Sequence, residues 1–119
     1  MALQTKVEYN YDEEKWVFKP IGEIDIYTSN EFRDNVLKAY EQKKADLVID
    51  GEHLEYIDST GLGALIGLLK MLQDTPYKIY IENIKPNIRK LFDITKLDSL
   101  FIFRGENDEQ WHHKTNRTK

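Results

Sequence analysis

The chain has 119 residues, is 40% hydrophobic and 32% charged, carries a formal net charge of -4 and contains no cysteine. That length favours one domain around a single core, and the missing cysteine excludes disulfides, thiolate zinc sites and cysteine nucleophiles. There is no membrane-length apolar run, no basic-then-apolar leader and no basic surplus for a nucleic-acid face, so a soluble, cytoplasmic protein without direct nucleic-acid or membrane contact is expected.

From the N-terminus, "KVEYNY" alternates, with Val7, Tyr9 and Tyr11 on one side. "DEE" at Asp12–Glu14 turns the chain, and "KWVFKPIG" has strand composition. The pair reads as a hairpin in which Pro20, with no N–H to donate, belongs at an edge, a bulge or a strand end. "TSNEFRDNVLKAY" reads as a helix. Thr28 followed by Glu31 fits a capping box, and Phe32, Val36 and Tyr40, with Leu37 alongside, form a stripe at helical spacing. "DLVID", Asp46–Asp50, is a continuous apolar run that fits a strand covered on both faces.

"IDSTGLGALIGLLKML" follows at Ile57–Leu72. Leu62, Leu65, Ile66, Leu69 and Leu72 repeat at helical spacing, which predicts a helix beginning near Thr60 or Gly61. "PYKIYIEN" alternates through Tyr77, Ile79 and Ile81. "KPNIRKLFDIT" reads as a helix with Pro86 near its first position and with Ile88, Leu91 and Phe92 inward. "LFIF", Leu100–Phe103, fits a last strand or an apolar clasp. The order β-β-α-β-α-β-α, with room for one more strand, predicts an α/β layer structure. Right-handed crossovers would set the strand-to-helix turns, Ser59 and Asp25 among them, on the sheet's carboxyl edge. Arg104–Lys119 is polar apart from Trp111 and aperiodic, and reads as a disordered, dispensable tail outside a 1–103 domain. Without it the body holds 13 basic and 18 acidic residues, which favours a basic partner.

The Asp58-Ser59 pair admits three readings: a helix cap, a phosphate-binding or catalytic turn, and a serine offered to a kinase. A serine before a helix commonly caps it, and Gly61, Gly63 and Gly67 fit close packing of helix on sheet. No Gly-Lys pair exists for a phosphate loop, and the sixth position from Gly61 is Ile66 rather than glycine. A nucleophile elbow needs glycine two residues before the serine, where Ile57 stands. His53 has nothing to place it beside Ser59 as a base, and His112 and His113 lack a third ligand. Glu23, Asp25 and Asp58 on one edge would make either a metal site or a negative rim for a partner, and no spacing demands the metal. No catalytic residue and no cofactor is assigned.

Three stretches carry a resemblance to a known family: "GEID" at Gly22–Asp25, "LVIDGEHLEYIDSTGLGAL" at Leu47–Leu65 and "NIRKLFDITKL" at Asn87–Leu97. Together, in this order, they resemble the STAS domain, and within it the bacterial anti-sigma factor antagonists, over about Val7 to Phe103. The resemblance implies a mixed β-sheet of four or five strands with helices packed against it. It implies a non-enzymatic binding protein that sequesters an anti-sigma factor with serine kinase activity and so frees a sigma factor. Ser59 would be the phosphorylation site, reset by a PP2C-type phosphatase. Glu23, Asp25, Asp58, Ser59, Thr60 and Gly61 would meet the partner, with Asp25 in a surface turn and no phosphorylation role for Thr60. The alternative is a STAS accessory subunit that binds a transporter's ATPase, with Ser59 only a cap. Gly51 departs from the family's usual apolar residue, which predicts a looser loop before Leu54.

Overall fold

A computed structural model describes residues 3–105. Strands β1 (Gln4–Asn10) and β2 (Lys15–Ile24) form the expected hairpin. Helix α1 (Ser29–Gln42), strands β3 (Asp46–Asp50) and β4 (Leu54–Ile57), helix α2 (Ser59–Leu72), strand β5 (Ile79–Glu82) and helix α3 (Pro86–Ile94) follow. A 3-10 turn (Asp98–Leu100) leads into β6 (Ile102–Arg104). The spatial order is β1-β2-β3-β5-β6, with β4 paired to β2 off that path. β1 is antiparallel and the other pairings are parallel. The fold is the expected α/β arrangement, with six strands among the described residues rather than four or five.

β4 is the strand that sequence patterning does not reveal. Its "LEYI" is too short to show a period. β2 is long enough to take two partners on one side: Lys15–Phe18 pairs with β3, and Gly22–Ile24 pairs with β4. Pro20 falls between these two ladders, opposite Thr5 of β1, and the register shifts between Gly22 and Glu23. The irregularity expected of a proline in a strand therefore lies where β2 changes partner. β3 ends level with the middle of β2, so the last five residues of β2 run on for roughly 16 Å at strand rise. β4 runs beside that extension, and the two carry their helix-entry turns beyond the rest of the sheet.

Gly51, between β3 and β4, is buried and not loose. Its N–H donates to the Glu82 carbonyl at 2.7 Å, and its carbonyl accepts from Leu54 N–H at 3.1 Å. A Cβ there would meet Ile84 Cα at 3.2 Å, so the position favours glycine by close approach. One core draws on β2 through β5 and all three helices, with Phe18, Phe32 and Phe92 fully buried. Phe32, Val36 and Tyr40 face it as expected, as do Ile88 and Phe92. On α2 the buried leucines are Leu62, Leu65, Leu68 and Leu72; Ile66 and Leu69, expected inside, are only half-buried. Val7 of the edge strand is exposed.

Arg104, first residue of the expected tail, is in β6. Its guanidinium bonds Glu82, reaches Glu13 at 3.3 Å and stacks 4.5 Å from the Tyr80 ring centroid. Beyond Gly105 the tail, with Trp111, His112 and His113, lies outside the described residues. The Arg104 hydrogen bond holds the Glu13 carboxyl below its usual range. Arg104→Ala is expected to lower stability by on the order of 1 kcal/mol at neutral pH, in keeping with a partly exposed ion pair and ring contact. A carboxyl depressed in the fold stabilises above its unfolded value and stops doing so as pH falls through its folded one. The Arg104→Ala deficit should therefore shrink below pH 4.5, the ordinary value for Glu13. Urea unfolding at neutral and acid pH checks this.

Candidate functional site

Two strand-to-helix turns meet at the extended end of β2. In the first, between β2 and α1, the Asp25 carboxylate accepts from Tyr27 N–H at 2.9 Å and Thr28 N–H at 3.1 Å. The Thr28 hydroxyl donates to the Glu23 carbonyl at 2.7 Å and accepts from Asp25 N–H at 2.9 Å. The turn is thus tied by side chains that replace a backbone ladder. Two expectations are corrected here. Asp25 is only 9% exposed, so it is a structural carboxylate inside the turn and not a surface charge. Thr28 stands at the N-cap position but makes no cap bond. Its hydroxyl works back into the turn, and the capping box with Glu31 does not form.

The second turn, between β4 and α2, is organised by Asp58. Its backbone is extended, with φ -105° and ψ -174°. One carboxylate oxygen accepts from Gly61 N–H at 2.8 Å, which makes Asp58 the N-cap. The other accepts from Ile26 N–H in the first turn at 3.3 Å. Asp58 N–H donates to the Ile24 carbonyl at 3.3 Å. One side chain therefore caps a helix and fastens the neighbouring turn to it. Asp58→Ala should cost about 2 kcal/mol, a cap plus a charge-assisted hydrogen bond. Asp58→Asn, which keeps one acceptor oxygen, should cost less in the same urea titration.

Ser59 is then not the cap. It is the first helical residue, one to two positions earlier than expected, and it is exposed. Its hydroxyl has no hydrogen-bond partner among the described residues. Thr60 is exposed beside it. The N–H groups of Ser59 and Thr60 belong to the first helical turn, where no intrahelical acceptor exists. That leaves positive dipole ends next to the serine hydroxyl. Gly61 allows this end of the helix to sit against the strand. A Cβ there would overlap the Ile24 carbonyl oxygen and lie 2.6 Å from Ile57 Cγ1. Gly63 and Gly67 have open space at the same position, so close packing explains Gly61 alone of the three.

Glu23, Asp25, Asp58, Ser59, Thr60 and Gly61 are all brought to this one end. Glu23 is half-buried and pairs with Tyr56 across β2 and β4. His53 is not brought there. It precedes β4, its carbonyl accepts from Gly22 N–H, and its exposed imidazole lies 3.9 Å from Glu52. The four residues of β4, about 13 Å of strand, separate it from Ser59. Asp25 uses one carboxylate oxygen, and Asp58 both, on backbone N–H groups. Among the described residues, no group of three or more His, Cys, Asp or Glu could hold a metal ion, and no helix is long and apolar enough to cross a membrane.

Ile26, Tyr27 and Tyr56 were not expected at this site. They are exposed by 64%, 84% and 49%. The signal in the sequence is an Ile-Tyr pair in a tight strand-to-helix turn, where Gly, Asn, Asp or Ser would be usual.

The STAS domain profile matches residues 6–110. The chain is 31% identical over 98 residues to the anti-sigma-B factor antagonist of Staphylococcus aureus, covering 82% of this chain and 91% of that one. Its fold is similar to that of an anti-sigma factor antagonist from Mycobacterium paratuberculosis, with a TM-score of 0.73, 25% identity and coverage of 94% and 93% of the two chains. It is also similar to the Bacillus cell fate determinant SpoIIAA in its phosphorylated form, with a TM-score of 0.65, 21% identity and coverage of 98% and 100%.

Proposed function

Because the chain belongs to the STAS domain family, we propose that it is an anti-sigma factor antagonist switched by phosphorylation of Ser59. Unphosphorylated, it binds an anti-sigma factor with serine kinase activity and so releases a sigma factor. That kinase transfers the γ-phosphoryl group of ATP to Ser59, the complex comes apart, and a PP2C-type phosphatase resets the chain. The anti-sigma-B factor antagonist of Staphylococcus aureus supports the binding role.

The observation that carries the switch is the division of labour at the start of α2. Asp58 caps the helix, and Ser59 is left exposed with an unengaged hydroxyl. A serine needed as a cap could not change its chemistry without weakening the helix; this one can. A phosphate on Ser59 brings about -1.5 to -2 charges. The free N–H groups and the helix dipole accommodate it, so the fold survives. Its bulk and charge then act on the partner, beside Asp58. Thr60, one residue further on, has no role as acceptor. Asp25 serves by shaping the adjoining turn through its carboxylate, whereas Glu23 ties that turn through its backbone carbonyl and keeps its side chain for the partner.

Incubating the purified chain with lysate of its own host and ATP tests this reading. Mass spectrometry should place a single phosphate on Ser59. Phosphate on Thr60 and never on Ser59, or none at all, would overturn it. The chain alone should release no phosphate from ATP above background, and turnover that disappears in Ser59→Ala would contradict a purely binding role.

A further inference from the structure

We propose that Ile26 and Tyr27, with Tyr56 on the neighbouring strand β4, form the apolar anchor by which the anti-sigma factor kinase grips this chain, and that the partner meets them with an apolar pocket rimmed by basic residues. This rests on the reading of Ser59 given above and adds which residues hold the complex together.

Ile26 and Tyr27 sit in adjacent positions at the tip of one turn and are among the more exposed large apolar residues of the described chain. Single exposed apolar residues are common on protein surfaces. Here two stand side by side in the turn that Asp58 fastens to α2, and Tyr56 lies on neighbouring β4, paired with Glu23 three residues before Ile26. The tip is also held in place. Asp25 accepts from Tyr27 N–H and Asp58 from Ile26 N–H, so two carboxylates fix the backbone that presents both side chains. An anchor already held in its bound geometry loses little conformational freedom on docking. Large aromatic residues ringed by weaker contacts carry a large share of interface energy.

Contiguity with Ser59 identifies the occupant. A kinase that reaches the Ser59 hydroxyl must cover the start of α2, and Asp58 ties that start to Ile26. Charge adds the rim: Glu23 and Asp58, each half-buried, lie at this end of the sheet, and the 1–103 body is acidic on balance. Basic residues there would complement them, and it is the bulk of a phosphate on Ser59 that a closed complex would exclude.

The test uses the full chain and the anti-sigma factor kinase from the same genome, with Ile26→Ser, Tyr27→Ala and Tyr11→Ala as variants. Tyr11 is 79% exposed, but it follows β1 in the hairpin turn, at the far end of β2. Titration calorimetry should show binding weakened at least about 30-fold by Tyr27→Ala and by Ile26→Ser, and unchanged by Tyr11→Ala. Thermal unfolding should be unchanged in all three. In steady-state phosphorylation of Ser59, the two anchor variants should raise KM and leave kcat near the unmodified value. If the unmodified chain binds and is phosphorylated while both anchor variants match it, the anchor is refuted and the Ser59 reading stands. If the unmodified chain neither binds nor accepts phosphate, the Ser59 reading itself has failed. If the chain alone forms a dimer that Tyr27→Ala dissociates, the patch is a contact between copies and the kinase is not its occupant.

Discussion

The chain phosphorylated on Ser59 is expected to bind its anti-sigma factor roughly 100- to 10,000-fold more weakly than the unmodified chain, with its circular dichroism unchanged. Turning a complex from 99:1 bound to 99:1 free takes about 5.5 kcal/mol. The bulk of a phosphate against a surface closed on the start of α2, and the cost of burying its charge of about -1.5 to -2 there, supply that difference. Ser59→Ala should bind constitutively and resist phosphorylation. Since Asp58 caps α2 in place of Ser59, the alanine variant should also keep its stability to within about 0.5 kcal/mol, as expected for a surface substitution. A loss of 1–2 kcal/mol would mean that Ser59 contributes to the cap after all. Ser59→Asp brings one charge where phosphate brings nearly two, and should weaken binding only partly. Titration of the partner with all four forms decides the matter: equal affinity for the phosphorylated and unmodified chains would make Ser59 a bystander.

Gly61→Ala should destabilise the domain by about 3 kcal/mol, near the upper end for overpacking, although alanine is the better helix former by about 1 kcal/mol. The added Cβ would strike the Ile24 carbonyl oxygen and Ile57 Cγ1. Ile24 cannot readily yield, because its carbonyl accepts from Asp58 N–H and its side chain is fully buried. Relief requires α2 to lift away from β2, which would also pull Asp58 from Ile26. Gly63→Ala and Gly67→Ala meet no such neighbour and should gain up to about 1 kcal/mol from helix propensity. Urea unfolding of the three variants gives opposite signs if this packing is right. A Gly61→Ala variant as stable as the parent would mean that the helix start is not seated on Ile24.

The chain by itself determined its helices, its central strands and the two motif-bearing turns of the candidate site. Those features rest on local signals: apolar spacing in α1 and α3, the continuous run of β3, Pro86 at the first turn of α3, and three motifs in family order. Only the tertiary structure decided how the motif residues divide their work. Asp and Ser are both good caps, and which one serves depends on which residue leaves β4 in extended geometry. Sequence spacing does not report that, because β4 is stabilised by its pairing to the far half of β2 and by no period of its own. The same pairing buried Asp25, brought Gly61 onto the Ile24 carbonyl and joined Ile26 to Asp58, a contact between residues 32 apart in the chain. Arg104 belongs to this class too. It reads as tail because its partners, Glu13 and Glu82, are remote in sequence, and long-range pairing leaves no local trace around a three-residue strand.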